Sequence, residues 1–274
     1  MLSHITEMSI ALTFIIPVRH PSNAPDWPAL KRNLSQTIAS IAAQEGDAWI
    51  AVIVANHGAD LPPFPSRFSV KWVDFPPNPQ FKSGAVQDEA WWDALRLDKG
   101  RRILAGMIHA RAMNYIMTVD EDDLVHRNLA TFVQKNLGKN GWRFSKGYLW
   151  EEGRRLLYLS SNFSGICGSS HIVRSDLYKF PAVLEDASKD YLQKMLGAHR
   201  FIDGILTGQG TPLDTLPFPG AIWRVGHSGS ASNSSGLLRR VIHLSAPLRS
   251  IRDAFRLRLK TKSVEKDFFG VHSD

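Results

Sequence analysis

One cysteine, Cys167, stands in 274 residues, so no intramolecular disulfide framework can hold this chain, and a reducing compartment suits it. No run approaches the roughly eighteen uninterrupted apolar residues of a membrane span, so no transmembrane helix is expected. The start, Met1-Leu-Ser-His-Ile-Thr-Glu-Met8, lacks a basic region followed by a long apolar stretch, so no secretory signal is expected either. Cytoplasmic residence follows as the expectation. No internal repeat is present. Acidic residues are the scarcer sign of charge, 26 against 33 Lys and Arg, which gives +7 and suggests an anionic partner. The excess sits in the tail, from Arg239 and Arg240 through Arg249, Arg252, Arg256 and Arg258 to Lys266, while the preceding body is close to neutral.

With 43% hydrophobic residues the chain can bury a full core. Ile10–Val18 and Trp49–Ala55 are continuous apolar runs of the kind buried on both faces of a sheet. Between them Leu30, Leu34, Ile38 and Ile41 recur at helical spacing, with Asp26 as cap and Pro28 in the first turn. This β-α-β order predicts parallel pairing with a right-handed crossover. A third strand is predicted over Phe68–Phe75, a helix over Gln87–Arg111 interrupted at Asp98-Lys99-Gly100, and a strand over Tyr115–Val119. A helix should follow from Leu129 to Leu137. Beyond Gly138 the pattern shortens to strands near 142–150, 156–160, 166–173 and 221–225, with a mainly helical stretch over Tyr191–Leu206. Ser228–Gly236 reads as a loop.

The strand at Tyr115 ends in Asp120, Glu121, Asp122 and Asp123. Four adjacent acids repel one another, and a bound divalent cation would offset that repulsion. A hard cation on one or two carboxylates with open positions is suited to gripping a diphosphate, so a nucleotide-diphosphate substrate is expected. The alternative is a solvated helix start, where acids are favourable.

Phe14-Ile-Ile-Pro-Val-Arg19, Val52-Ile-Val-Ala-Asn-His-Gly58, Asp98-Lys-Gly100 and Tyr115-Ile-Met-Thr-Val-Asp-Glu-Asp-Asp-Leu124 together resemble a family 2 type glycosyltransferase of the GT-A fold, over residues 10–230. The resemblance implies an α/β, Rossmann-like, mostly parallel sheet flanked by helices, with a smaller mixed acceptor-side region. The expected division is a catalytic domain over 1–236, nucleotide-sugar half about 8–138 and acceptor half about 139–236, and a C-terminal basic extension over 237–274. It also implies that Pro17, Val18 and Arg19 contact the nucleotide, that Asn56 stands where an acid usually reads the base, and that Lys99 and Arg102, with Arg101, face the donor. By the same resemblance Asp120 and Glu121 lie against the donor, Asp122 binds Mn²⁺ or Mg²⁺, and His227 completes the metal site. A surface histidine is the plainer reading of His227. The implied donor is a nucleotide-sugar, with a uridine nucleotide as the default, and the implied outcome inverts the anomeric centre on a glycan or glycolipid acceptor.

A catalytic base is harder to place. The resemblance implies a Glu-Asp pair at a helix start some twelve residues before a glycine that leads into the last strand. Reading back from Gly210, that position falls on Ala198-His199, so His199 is the candidate, with Asp203 one helical turn on to orient its ring. Glu185 and Asp186 are held in reserve. Trp142, Phe144, Tyr148 and Trp150 are expected to stack on acceptor sugars, although core filling explains most aromatics. In the tail, Leu244, Leu248, Ile251, Phe255 and Leu259 fall on one helical face flanked by basic residues. Such a helix could lie on an anionic membrane as a peripheral contact, or pack on the catalytic domain. Nucleic acid is not expected as a partner, since no binding motif is present. Nucleotidyl transfer is the runner-up chemistry, but Pro17-Val-Arg-His-Pro21 has no glycine to cradle phosphates. A non-catalytic glycan- or membrane-binding module is the remaining alternative.

Overall fold

The computed structural model describes residues 10–80, 86–112, 114–226, 237 and 253–270. Within them the apolar runs of the first half become β1 (Leu12–Pro17), β2 (Trp49–Asn56), β3 (Phe68–Val73) and β4 (Tyr115–Thr118). These strands pair in parallel in the order β3-β2-β1-β4. Their lack of alternation has a direct cause, since Phe14 and Ile16 enter one core and Ile15 the other. Helix α1 (Trp27–Ala42) closes the first core with Leu30, Leu34, Ile38 and Ile41. Asp26 caps it by accepting from the Ala29 N–H, and Pro28 fills the first turn as the sequence predicts.

Helix α2 (Glu89–Ala110) closes the opposite core with Ile103, Leu104 and Met107. The interruption expected at Asp98-Lys99-Gly100 does not occur. Gly100 is there for close approach, because a methyl group on it would overlap the Leu192 carbonyl. After α3 (Leu129–Lys135), the helical stretch expected over Tyr191–Leu206 divides into α4 (Lys189–Tyr191), a π-turn over Leu192–Leu196, and α5 (His199–Gly208). Gly197 lies at the break, where a methyl group would overlap the Arg96 carbonyl. Gly100 and Gly197 thus let α2 and the π-turn meet backbone to backbone.

The second half extends the first sheet and builds another. Strand β9 (His171–Arg174) runs antiparallel to β4, followed outward by β6 (Gly141–Arg143) and β10 (Asp214–Thr215), which makes a seven-stranded mixed sheet. The other sheet has the order β12 (Leu257–Leu259), β8 (Leu156–Ser160), β7 (Gly147–Glu151), β11 (Ala221–Val225) and β5 (Leu124–Val125). The architecture is α/β with helices on both faces of the larger sheet.

The tail differs from the helix expected through Phe255 to Leu259. Residues 244–252 lie outside the described residues, while Leu257–Leu259 is a strand paired antiparallel with β8. An edge strand presents unpaired backbone groups, and this segment satisfies them. Helix α6 (Lys262–Phe268) follows, with Phe268 5.0 Å from the His126 ring and Phe269 5.0 Å from Trp150. Packing of this part of the tail thus runs through Phe268 and Phe269, while the two described residues of the expected stripe, Phe255 and Leu259, are exposed. No helix among the described residues is long and apolar enough to cross a membrane.

Candidate functional site

Strands β1 and β4 are neighbours in the sheet, yet α1 leaves β1 over one face and α2 enters β4 from the other. Such a switch point opens a crevice beyond the carboxyl ends of the strands. A cavity of about 340 Å³ lies there. Pro17 and Arg19 from the end of β1, Lys99 and Arg102 from α2, Asp120, Glu121 and Asp122 from the end of β4, and His199 from the start of α5 all line it. Eight of the twelve expected site residues are brought together.

Each acid of the turn has its own environment. Asp120 Oδ1 lies 2.5 Å from Lys99 Nζ, and Glu121 accepts from Arg19 Nε at 2.5 Å. Burial alone would lower the pKa of Lys99 and of Arg19, but Asp120 beside the lysine and Glu121 beside the arginine lift both above their ordinary values. Burial holds Glu121 above the usual carboxylate range, with Arg19 pulling it down. Asp122 lines the cavity, and its backbone carbonyl accepts from Arg224 Nε at 3.1 Å. Asp123 points inward instead. Ser169 Oγ donates to it at 2.6 Å, Cys167 Sγ lies 3.3 Å away, and the Arg224 N–H donates to its other oxygen. Burial, reinforced by Asp122 and Asp120, raises the Asp123 carboxyl well above the usual range. Arg224 braces the turn from below, its fully buried guanidinium bonded to Gln36 and lying 5.1 Å over the Trp150 ring.

Three expected residues face elsewhere. Val18 is a core residue, fully buried, whose N–H donates to the Val54 carbonyl. Asn56 is committed on both sides, since its Oδ1 accepts from Arg102 at 2.8 Å and its Nδ2 donates to the Phe75 carbonyl at 2.7 Å. Asn56 is buried and does not line the cavity. Arg102 is itself clasped by Asp98 through Nε and Nη2. Asp203 faces His171, with Oδ2 3.5 Å from Nε2, so the expected pairing with His199 is replaced by one to strand β9. His227 lies outside the described residues. The reserve acids Glu185 and Asp186 are exposed on a short turn and do not line the cavity.

His199 sits at the junction of the main cavity and a small chamber of about 20 Å³, shared with Lys99, His171 and Tyr178. Burial, with Lys99, His171 and Arg200 alongside, lowers its pKa to about 3, against a hydrogen bond to the Gly165 carbonyl. The imidazole is therefore neutral near pH 7, a hydrogen-bonding group with little intrinsic pull on a proton.

Mn²⁺ or Mg²⁺ finds a poor fit in the described residues. Asp120 and Glu121 are engaged with Lys99 and Arg19, Asp123 is turned into the core, and Asp122 is the remaining carboxylate of the turn in the lining. Among the described residues no three His, Cys, Asp or Glu side chains converge as a metal-binding group.

The sequence reading missed other walls of the cavity. Trp92 and Trp223 line it, whereas Trp142, Phe144 and Trp150, expected at the acceptor, are core residues and Tyr148 packs against Phe268. Asn23 and Asn78 also line it, tied reciprocally by Asn23 Nδ2 to the Asn78 carbonyl and the Asn78 N–H to Asn23 Oδ1. Trp92 and Trp223 carry no motif, and only their position on α2 and β11 reveals them.

No protein-family model matches the chain, and no curated protein does. Among solved structures, TarS from S. aureus is similar at 12% identity and a TM-score of 0.39, over 78% of this chain and 36% of that one. The chain thus spans about a third of the length of TarS. A putative glucose-1-phosphate thymidylyltransferase from Bacillus anthracis, in complex with a sucrose, is similar at 8% identity and a TM-score of 0.39, over 89% of this chain and 95% of that one. At this score neither likeness establishes a shared fold.

Proposed function

We propose that the chain is a glycosyltransferase of GT-A type, which moves a sugar from a nucleotide-sugar to an acceptor hydroxyl. The observation that carries this reading is the cavity at the β1–β4 switch point, where Arg19, Lys99 and the acidic turn face Trp92, Trp223 and His199. The cationic side is suited to a diphosphate, and an indole face to the apolar C–H face of a sugar ring. In this reading Pro17, Asn23 and Asn78 shape the nucleoside end, and Asp120 and Asp122 flank the transferred sugar and the diphosphate.

His199 has a defined part in this chemistry. With its ring hydrogen-bonded to Gly165, a neutral imidazole can accept a hydrogen bond from the acceptor hydroxyl and hold the oxygen in line with the anomeric carbon. The hydroxyl becomes strongly acidic only as its bond to carbon forms, so a weak base suffices to receive the proton at that late point. The leaving diphosphate departs on the opposite face, which inverts the anomeric centre.

The test is product analysis on a panel of nucleotide-sugars with and without candidate glycans. Sugar-dependent release of a nucleoside diphosphate supports transfer. Pyrophosphate release from a nucleoside triphosphate and a sugar phosphate would replace this reading with nucleotidyl transfer, and the absence of both with a binding module.

A further inference from the structure

We propose that this cavity grips the diphosphate of its donor without a divalent cation, using the Lys99 ammonium and the Arg19 guanidinium, each seated on a carboxylate of the acidic turn. The inference rests on the nucleotide-sugar reading of the cavity and specifies how its anion is held. Part of the repulsion within the run Asp120–Asp123 is offset by groups the chain already carries. Lys99 meets Asp120, Arg19 meets Glu121, and Asp123 is enclosed by Ser169, Cys167 and the Arg224 N–H.

The seat of Lys99 is built. A methyl group on Gly168 would overlap Asp120 Oδ2 and come within 2.7 Å of Lys99 Nζ, so the pair lies directly against the bare backbone there and would have to shift to admit a side chain. An ammonium has three donors and Asp120 engages one, which leaves Lys99 able to bridge carboxylate and phosphate at once. A guanidinium is a planar group matched to phosphate oxygens, and Arg19 is the one held at Nε by Glu121. The lining as a whole carries five cationic side chains, Arg19, Arg96, Lys99, Arg102 and Arg200, against four carboxylates, Asp98, Asp120, Glu121 and Asp122. Arg96 is paired with Glu89 and Asp93 and Arg102 with Asp98, so Lys99 and Arg19 are the cations seated on the acidic turn itself. A divalent ion on Asp120 would have to displace Lys99 or sit against it.

Calorimetry with nucleoside diphosphates as probes, in EDTA and again in MnCl₂, decides the matter. The wild-type protein should bind at least one of them in EDTA, with an affinity that Mn²⁺ changes by less than about threefold. Lys99→Met should lose about tenfold or more in EDTA and recover part of it in Mn²⁺, because Asp120 is then released beside Asp122. Lys99→Arg should keep binding in EDTA. Should Lys99→Met fail to fold by circular dichroism, Gly168→Ala displaces the same pair and should weaken binding in EDTA likewise. Wild-type binding that appears only with Mn²⁺, or unchanged binding by a folded Lys99→Met protein in EDTA, overturns the inference while leaving the nucleotide-sugar reading intact. No heat with any nucleoside diphosphate in either buffer overturns both.

Discussion

The two sides of the cavity treat their titratable groups differently. On the β4 side charge is kept and matched, with Lys99 against Asp120 and Arg19 against Glu121. On the α5 side His199 is kept neutral, its pKa held to about 3 by burial, beside the cationic Arg200. A donor with a charged diphosphate and an acceptor with a neutral hydroxyl would be served by this division, since desolvation penalises an unmatched charge and leaves a neutral partner nearly unaffected.

The largest expected effect comes from undermining the charged side. Arg224→Ala removes the brace under Asp122 and opens a gap beside Trp150 and Gln36, and should lower the free energy of unfolding by about 3–5 kcal/mol in urea titrations. A smaller loss would mean that the turn stands without it.

His199→Phe examines the neutral side through pH. The unfolded imidazole takes up a proton below about pH 6.5, whereas the folded one resists protonation until about pH 3. Stability from this group is therefore present above pH 6.5 and declines as the pH falls toward 3, with a limiting slope of about 1.4 kcal/mol per pH unit. The variant should show a flatter acid limb in denaturant midpoints measured between those values. An unchanged limb would show that burial does not keep this ring neutral.

Trp92→Ala and Trp223→Ala probe the surface between the two sides, and each should raise KM for a sugar-bearing substrate by about tenfold, a stacking contribution near 1.4 kcal/mol. Equal KM values for wild type and both variants would remove the indoles from sugar recognition. The smallest effect is expected away from the cavity. Neutralising the exposed pair with Glu185→Gln and Asp186→Asn should leave turnover unchanged and stability within about 0.5 kcal/mol. A large loss of turnover would return those acids to the list of catalytic bases.

Much of the first half was legible because β1, β2 and β4 are buried on both faces and α1 is capped by a local signal. Asp26 and Pro28 announce α1, and Leu156–Ser160 and Ala221–Val225 also matched their predicted spans. The sequence marked the acidic turn that lines the cavity, but not its counter-charges. Lys99 and Arg19 lie 21 and 102 residues from their partners Asp120 and Glu121, separations at which nothing in a linear pattern announces a pair. Gly100 was misread for a related reason. A glycine in a helix looks like a break until the facing Leu192 carbonyl, brought there by tertiary packing, shows what the missing side chain is for. Asp203 similarly lies one turn beyond His199, yet the rotation of α5 against β9 gives it to His171.

The acidic turn is also a seam. Strand β4 belongs to the larger sheet and β5 to the smaller, with only residues 119–123 between them. A ligand that tightens this turn would pull on both layers together, so amide exchange should slow in β11 and beyond it in β7, a strand with no residue in the cavity lining. Occupancy of the cavity would in this way register across the smaller sheet as added rigidity.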